Sequence, residues 1–580
     1  MNGRSGLVTF FLFLLLAVMI LFQVLSMIQA DRLYERLNTL IDRWQMAASA
    51  RVVKDRQAVS TDLPGEEYPG DEGDWLVWCE RGEPRTLNPI SVEGDLGARH
   101  IYFNIFETLF YYDLDYDGVK LEPVLAERME VSDDGIEITV TLKANIWFSD
   151  GVPVTADDVV FTYETIMNPG VDAPNIRNYY ENFKEVVKID ERTVKFILNE
   201  VYWKTLESVG IFEVLPKHIY EFEDPEAFNS RRSNPIGSGP YVFEKWDVGQ
   251  QVVLRRNENY WGKKAKLEKL IFRFITNPTA ALQALRAHEV DFYEPTSEQF
   301  AEMSADEEFK KEFKILSYWE PSGGYAFIGW NLVRSFFQDG RVRLAMTHIL
   351  NRQEMVEHLL RGYGTVVTGP FYIHGRQSDP NVKPWSYAPE KAKLLLDEAG
   401  WVDTDGDGIR DKDGVAFRFK YSYPPGGTAT ERIAKLMKDE AAKVGIEVIP
   451  DPVEWSIFVE RLNKREFDAV TLMWGGTIES DPYQIWHSSQ IKGRGNNFIS
   501  FTNAEADAII EEARRTLDEK KRYHLYHKLH RLLHEEQPYT FLFARPEPRF
   551  LDKRFENVIV HQLGLDHHEW HVPKEKQRYK

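Results

Sequence analysis

The sequence is poor in cysteine, since Cys79 is the only one among 580 residues. A single cysteine excludes an internal disulfide bond. Cys79 lies in the apolar run of residues 75–79, which predicts a buried position in a strand. It is also far from the apolar N-terminal segment, which argues against a lipid-modified cysteine.

Short catalytic motifs are missing as well. The sequence contains no GxSxG, no HExxH and no P-loop pattern, the local signatures of three large groups of enzymes. A lone cysteine within a strand is a poor nucleophile. A catalytic pair of carboxylates distant in sequence would leave no local motif, so a hydrolase stays the alternative. The leading expectation is a protein that is not an enzyme.

Basic residues are outnumbered: 71 Lys and Arg stand against 91 Asp and Glu, for a net charge of −20. This excess argues against nucleic acid as a partner and is a weak bias toward cationic solutes. Hydrophobic residues make up 43% of the chain and aromatic residues 13%, which indicates a packed globular protein. Because 580 residues exceed what one core usually serves, two or three lobes are expected.

Residues 7–28 form the longest uncharged apolar segment, long enough to span a bilayer. We expect a membrane anchor within residues 1–30, with the rest of the chain exported. A cleaved signal peptide is the alternative, but Ile28 does not suit a small-x-small cleavage site ending at Ala30. Residues 31–74 then read as a short amphipathic helix and a flexible polar tether.

Residues 123–169 combine several local signals. Ile136, Ile138, Val140 and Leu142 alternate with polar residues, which predicts a half-buried strand. Thr155 is placed to cap a following helix, and an acidic residue lies three positions later. From residue 75 to 571, strand-like and helix-like segments alternate, which favours an α/β fold, and no repeat of 20–50 residues is visible.

This region resembles the signature region of the family 5 extracellular solute-binding proteins of ABC importers. Further segments resemble the same family in the same order: RTLNP (85–89), IFETLF (105–110), LPKHIYE (215–221), GSGPYVFEKWDVGQQVVLRRNENYWG (237–262), ALQALRAHEVDF (281–292), DGRVRLAMTHILNRQEMVEHLLRGYG (339–364) and DPYQIWHSSQ (481–490). The resemblance implies a two-lobe periplasmic-binding-protein fold of class II with three subdomains.

The resemblance also implies where the lobes begin and what they bind. The large lobe would contain residues 75–317 and 539–575, and the second lobe residues 318–538. The implied ligand is a small solute, with an oligopeptide favoured over a sugar or a metal chelate. The implied partners are the transmembrane subunits of an ABC permease, on the periplasmic or cell-surface side of the membrane. An anchored hydrolase and a ligand-sensing or chaperone-like interaction protein are the alternatives.

Two loops are the main ligand-binding candidates that the resemblance implies. Glu93, Gly94 and Asp95 would offer backbone groups to an extended ligand, which suits recognition of many side chains. Trp474 and Gly475 begin a loop that follows a buried strand, a favoured ligand position in α/β folds.

In the family's peptide binders, an aspartate of this second loop pairs with the ammonium group of the ligand. This chain departs from that pattern, and Glu479 or Asp481 would have to replace the aspartate. The departure puts peptide specificity in doubt. The same resemblance implies ligand contacts for Trp455, Val459, Glu294 and Phe327; for Trp455, the alternative is a core position on an amphipathic helix.

Residues 403–414 match the opening of a calcium loop, with Asp403, Asp405 and Asp407 in alternation, Gly408 at the turn, and Asp411 and Asp413 after it. Gly414 stands where a bidentate glutamate belongs. The alternatives are a structural calcium site and an acidic loop held by its own turns; no other cofactor is expected.

Histidines 527, 530 and 534 share one stripe of a predicted helix, residues 519–536. We expect that stripe to be solvent-exposed, because leucines cover another face of the helix.

Overall fold

The computed structural model describes residues 68–91, 96–116, 118–173, 176–177, 179–231, 234–426, 428–492 and 495–579. The predicted anchor, residues 7–28, lies outside these ranges. Among the residues described, no helix has the length and apolar character needed to cross a membrane.

The first part of the chain alternates short strands and helices. Its elements are β1 (Trp75–Glu80), α1 (Leu96–Tyr102), β2 (Phe110–Tyr112), β3 (Leu121–Pro123), β4 (Ala126–Val131), β5 (Glu137–Leu142), α2 (Ala156–Met167), β6 (Phe183–Asp190), β7 (Thr193–Leu198), α3 (Thr205–Gly210), α4 (Lys217–Tyr220), α5 (Pro225–Asn229), β8 (Tyr241–Asp247), β9 (Gln251–Arg256), β10 (Lys269–Phe274), α6 (Pro278–Arg286), β11 (Phe292–Tyr293), α7 (Ser297–Ala305), α8 (Phe309–Glu312) and β12 (Phe313–Tyr318).

The second part continues in the same manner. Its elements are β13 (Tyr325–Trp330), α9 (Gly340–His348), α10 (Arg352–Leu359), β14 (Thr365–Val366), α11 (Pro389–Glu398), β15 (Asp411–Lys412), β16 (Val415–Ala416), β17 (Arg418–Tyr423), α12 (Thr428–Ala442), β18 (Glu447–Pro452), α13 (Trp455–Lys464), β19 (Ala469–Trp474), α14 (Tyr483–Trp486), α15 (Ala504–Arg515), α16 (Glu519–Glu536), β20 (Tyr539–Phe541), β21 (Phe543–Ala544), β22 (Glu547–Asp552), β23 (Val560–His561) and β24 (Gly564–Leu565). The mixture confirms the predicted α/β class.

The large lobe is built on two sheets. A seven-stranded mixed sheet has the order β12-β22-β11-β1-β10-β9-β8, and a four-stranded antiparallel sheet has the order β4-β5-β7-β6. Residues of both sheets share one apolar core. Cys79 is buried in β1, as predicted.

The local predictions for residues 136–167 are confirmed. The alternating segment forms β5, with Ile138 and Val140 buried. Helix α2 starts after Thr155 with a capping box, in which the backbone N–H of Thr155 donates to Asp158 Oδ2 over 2.8 Å. Short-range chemistry alone specifies both features.

The second lobe is built on a five-stranded sheet of order β18-β17-β19-β13-β20. The chain passes from the large lobe into this sheet between Tyr318 and Tyr325, and returns between Ala544 and Glu547. The return therefore comes later than the expected boundary at Tyr539. Strand β20 stays in the second lobe because it pairs with β13, Phe327 opposite Phe541.

The folded body also begins before the expected start at Trp75. The Asp74 side chain is inaccessible to solvent and accepts a hydrogen bond from Arg554 Nη1 over 2.5 Å. Arg554 Nη2 donates to Asp291 over 2.6 Å, and Glu72 pairs with Arg256 over 3.3 Å. The end of the predicted tether is thus part of the large lobe.

Candidate functional site

A cavity of about 360 Å³ lies between the two lobes. The large lobe contributes Gly118, the end of β12 and the first strand and turn of its C-terminal hairpin, and the second lobe contributes two loops. The lining consists of Gly118, Ser317, Tyr318, Trp319, Val560, His561, Gln562 and Leu563 from the large lobe and its crossing segment, and of Tyr372, His374, Gly375, Arg376, Ile478 and Glu479 from the second lobe.

The first crossing segment packs tightly against the loop that follows β19. Gly324 has a φ of +60°, and a Cβ atom there would overlap the carbonyl group of Trp474. A Cβ atom at Gly476 would overlap the carbonyl oxygen of Pro321. Only glycine permits two backbone segments to come this close. Residues 320–324 therefore pack directly against residues 474–476.

Aromatic side chains form much of the cavity wall. The rings of Trp319 and His374 are 5.0 Å apart, one from each side of the cavity. Burial, followed by the charge of Glu320, raises the pKa of Tyr372 to about 12. Burial lowers the pKa of His374, which favours its neutral form. The wall therefore offers ring faces to a solute together with few fixed charges.

The two loop acids proposed to hold a ligand ammonium are already paired within the protein. Glu479 is 3% exposed, lies 3.4 Å from Arg522 Nη2 and accepts a hydrogen bond from Tyr523. Asp481 Oδ2 lies 3.0 Å from Arg514 Nε and accepts a hydrogen bond from Tyr202 Oη over 2.6 Å. Neither acid offers a free carboxylate, so this arrangement does not favour the expected role.

The same loop is tied to the large lobe. Lys204 Nζ donates to the carbonyl oxygen of Glu479 over 2.7 Å and pairs with Glu207 over 2.7 Å. Tyr202 and Trp203 belong to an apolar cluster made mainly of second-lobe residues. These contacts bring segment 202–204 of the large lobe against the second lobe.

Glu294 and Phe327 are also engaged by the protein itself. Burial opposes ionisation of Glu294, but Arg549, Arg81 and Arg545 outweigh it and lower its pKa to about 2. Phe327 is 1% exposed and stacks on Tyr539, with ring centroids 4.0 Å apart. Both residues support the structure around the cleft, and neither lines the cavity.

Trp455 is not a core residue, because 57% of it is exposed. It begins α13 and stacks on Phe458, with ring centroids 6.0 Å apart. Val459 and Trp474 are half-buried and Gly475 is exposed. These four residues lie outside the cavity lining, and their ligand contacts stay a prediction.

Glu93, Gly94 and Asp95 lie outside the described residues. Of the predicted ligand-binding residues that are described, only Glu479 lines the cavity. Sequence reasoning missed Tyr318, Trp319 and the loop of residues 372–376. The predicted crossing near Ser317 was a signal for the first two, since a segment between lobes must border the cleft.

The acidic loop forms a compact group of oxygen atoms. Carboxylate oxygens of Asp403, Asp405 and Asp411 lie within 4.8 Å of one another. Asp403 accepts hydrogen bonds from the backbone N–H groups of residues 406 and 408, over 2.7 and 3.1 Å. Asp407 and Asp413 lie outside the group of three, and three carboxylates without the bidentate glutamate are a partial match to a calcium loop.

The histidine stripe of α16 is not the solvated face that was expected. His530 and His534 are 1% and 8% exposed. His530 Nδ1 accepts a hydrogen bond from the backbone N–H of Asp379 over 2.9 Å, and His534 stacks on Trp385. The segment of residues 366–388 covers this face, which helix periodicity alone does not reveal.

The chain matches a family model and curated relatives over most of its length. The model described as "Bacterial extracellular solute-binding proteins, family 5 Middle" matches residues 120–496. The oligopeptide-binding protein AppA of Bacillus subtilis is 34% identical over 506 residues, which cover 85% of this chain and 90% of the relative. The dipeptide-binding protein of Escherichia coli is 25% identical over 529 residues, or 85% and 94% of the two chains.

Solved structures resemble this one over a similar share. AppA of Bacillus subtilis in complex with a nonapeptide has a TM-score of 0.76 at 31% identity, covering 87% of this chain and 100% of that one. NikZ of Campylobacter jejuni in complex with Ni(L-His) has a TM-score of 0.72 at 26% identity, covering 86% and 99%.

Proposed function

Because the chain belongs to family 5 of the bacterial extracellular solute-binding proteins, we propose that it closes its two lobes around an oligopeptide. It then delivers the peptide to the membrane subunits of an ABC importer. The family consists of solute-binding proteins and not of enzymes, so the hydrolase alternative is not favoured.

The observation that carries this proposal is the cavity between the lobes, lined by residues of both. A solute favours closure only by the difference in its affinity for the closed and open forms. A solute that contacts Tyr318 on one side and Tyr372 on the other has the higher affinity for the closed form that closure requires. Two crossing segments, near residues 319–324 and 545–546, form the hinge in this account.

The choice of peptide as the solute follows the relatives. The relative at 34% identity is named an oligopeptide-binding protein, and a structure at 31% identity holds a nonapeptide. Long peptides need backbone recognition and tolerant side-chain pockets. The glycine loop at residues 475–476 suits recognition of the peptide backbone, and the exposed ring of Trp455 suits a tolerant side-chain pocket.

Members of this family act outside the cytoplasm. We further propose that residues 7–28, which carry no charged side chain, anchor the protein to the membrane with the folded body exported. Membrane fractionation tests this: an anchored chain is released by detergent and not by high salt, whereas a cleaved one is recovered without detergent.

Native mass spectrometry of the freshly purified body tests the solute. We expect a mass increment that fragments into amino-acid sequence ions. A retained solute without peptide bonds would contradict the proposal.

A further inference from the structure

A segment of the large lobe is bonded to the second lobe outside the lining of the cavity. Residues 200–204, here called the clasp, follow β7 and precede α3. We propose that the clasp holds the two lobes closed through contacts within the protein, so that the closed form predominates before a solute binds. This inference goes beyond the proposed function, because it concerns closure without a solute and does not depend on which solute is bound.

Tyr202 links the clasp to the loop that follows β19. Its hydroxyl donates to Asp481 Oδ2 over 2.6 Å, and Arg514 Nε lies 3.0 Å from the same oxygen atom. The Arg514 guanidinium also lies over the rings of Tyr202 and Tyr483, 4.7 and 4.1 Å from their centroids. One carboxylate of the second lobe therefore binds a tyrosine of the large lobe and an arginine of its own lobe. Hydrogen bonds to a charged acceptor are stronger than those between neutral groups.

Trp203 is inserted among side chains of α15 and α16. It is buried, and its backbone N–H donates to the carbonyl oxygen of Arg514 over 3.0 Å. The Arg522 guanidinium lies 4.4 Å from the Trp203 ring centroid, and the Tyr526 ring is T-shaped to the Trp203 ring with centroids 6.2 Å apart. Separation of the lobes would expose the Trp203 ring to water, which costs free energy in proportion to the apolar area uncovered.

Lys204 joins the clasp to the wall of the cavity. Its ammonium group donates to the carbonyl oxygen of Glu479, a lining residue, and pairs with Glu207, each over 2.7 Å. Lys204 and Glu207 are both buried. Glu207 also accepts a hydrogen bond from Tyr112 Oη over 2.6 Å, which fixes the ion pair within the large lobe. Separation of the lobes would break the bond to Glu479, and a hydrogen bond to a charged group contributes more than a neutral one.

The clasp affects how tightly any solute is held. The measured dissociation constant of a solute equals its dissociation constant for the closed form divided by the closed fraction. When the lobes rest open, part of the binding free energy is spent on closing them. When the clasp has already closed them, the solute keeps its full affinity. The clasp therefore strengthens binding although its own side chains do not line the cavity.

Double electron–electron resonance on the full chain in detergent tests the inference. Nitroxide labels are attached to Val248→Cys, in the turn between β8 and β9, and to Ile449→Cys on β18, both at exposed positions. Strands β8 and β18 lie at the ends of their sheets that are farthest from β12 and β13, which the first crossing segment joins. Cys79 is buried and stays unlabelled. The labelled parent is unfolded and refolded to remove retained solute.

The test variant combines Tyr202→Phe with Lys204→Met, which removes two bonds between the lobes. We expect a short distance to predominate in the solute-free parent, and the ratio of short to long distance to fall at least about tenfold in the test variant. Tyr163→Phe with Lys195→Met is the matched control. It removes the same atoms from the same lobe, but the bonds it breaks are to residues of β6 and β5, so it should keep the parent ratio.

Tyr202→Phe alone leaves the Lys204 ion pair intact and should lower the ratio by about threefold or more. It keeps the test decisive if thermal unfolding shows that the double variant does not fold. Equal distance distributions in the parent and in the clasp variants, or a solute-free parent that shows mainly the long distance, would overturn the inference. A chymotryptic digest of casein should restore the short distance in the clasp variants. If it does not, the proposed closure around peptides fails instead.

Discussion

At the scale of single residues, the burial of His530 makes the stability of the folded protein depend on pH. Burial, with the nearby His534, lowers the pKa of His530 to about 4. Its Nδ1 accepts from Asp379 N–H and its Nε2 lies 3.0 Å from Thr368 Oγ1, so the folded protein holds the neutral ring.

We predict that stability falls as the pH falls from about 6.5 to 4, because the unfolded chain then binds a proton that folded His530 does not. The full effect of this residue is roughly 3 kcal/mol. His530→Asn keeps an acceptor for Asp379 and should flatten the pH dependence of the urea midpoint. His358→Asn, at an exposed histidine, is the control. An equal pH slope in wild type and His530→Asn would refute this.

Trp455 supplies a second prediction at this scale. Its exposed ring lies on α13, and we expect it to pack on a bound peptide. Trp455→Ala should weaken peptide binding by about 1–3 kcal/mol through lost apolar burial and stacking. Val248→Ala, at a residue that is 79% exposed on the turn between β8 and β9, should leave affinity unchanged. Calorimetry that finds parent-like affinity for Trp455→Ala would place the pocket elsewhere.

At the scale of elements, the acidic loop between α11 and β16 fits two interpretations: a loop held by its own turns and a structural calcium site. It is held by its own Asx turns, such as Asp407 accepting from Ile409 N–H over 2.7 Å, and it also gathers three carboxylates. Carboxylates this close repel each other unless water or a cation lies between them.

We predict that calcium raises the melting temperature and that peptide affinity stays the same in chelator, since the loop lies outside the cavity lining. Asp405→Asn should remove the calcium effect, whereas Asp413→Asn, outside the oxygen group, should keep it. A melting temperature that neither calcium nor chelator changes would contradict the calcium site and support an acidic loop held by its own turns.

The elements also show what sequence could predict. Strand β5 and the cap of α2 follow from neighbouring residues, so they were predictable. The partners of Glu479 and Asp481 come from α15, α16 and segment 202–204, which no local pattern brings together. The family resemblance identified the fold and its two lobes, but Tyr318 and Tyr372 meet at the cavity only through tertiary packing.

At the scale of the whole molecule, contacts between residues 72–75 and residues 554–579 close the large lobe. Arg554 bonds to Asp74 and Asp291, and Arg578 lies 2.6 Å from Asp552. Tyr579 stacks on Trp75, with ring centroids 4.5 Å apart. The first and last described segments of the body thus stabilise each other.

We predict that a fragment of residues 68–580 is folded and monomeric, and that a fragment of residues 75–580 melts at a lower temperature. The shorter fragment lacks the Asp74 hydrogen bond and leaves Arg554 paired with Asp291 alone, and the loss of a hydrogen bond to a charged group costs about 1.5–3 kcal/mol. Calorimetric melting of the two fragments decides this. Equal melting temperatures would show that residues 68–74 add no stability, and the folded domain would then begin at Trp75.

The central claim is that the body binds oligopeptides between its lobes, and peptide capture tests it most directly. The purified 68–580 fragment is mixed with a chymotryptic digest of casein, separated from free peptides by gel filtration and analysed by mass spectrometry, with serum albumin as the parallel control. We predict a discrete set of co-eluting peptides that albumin does not retain. Recovery of no peptide above the albumin background would contradict the account.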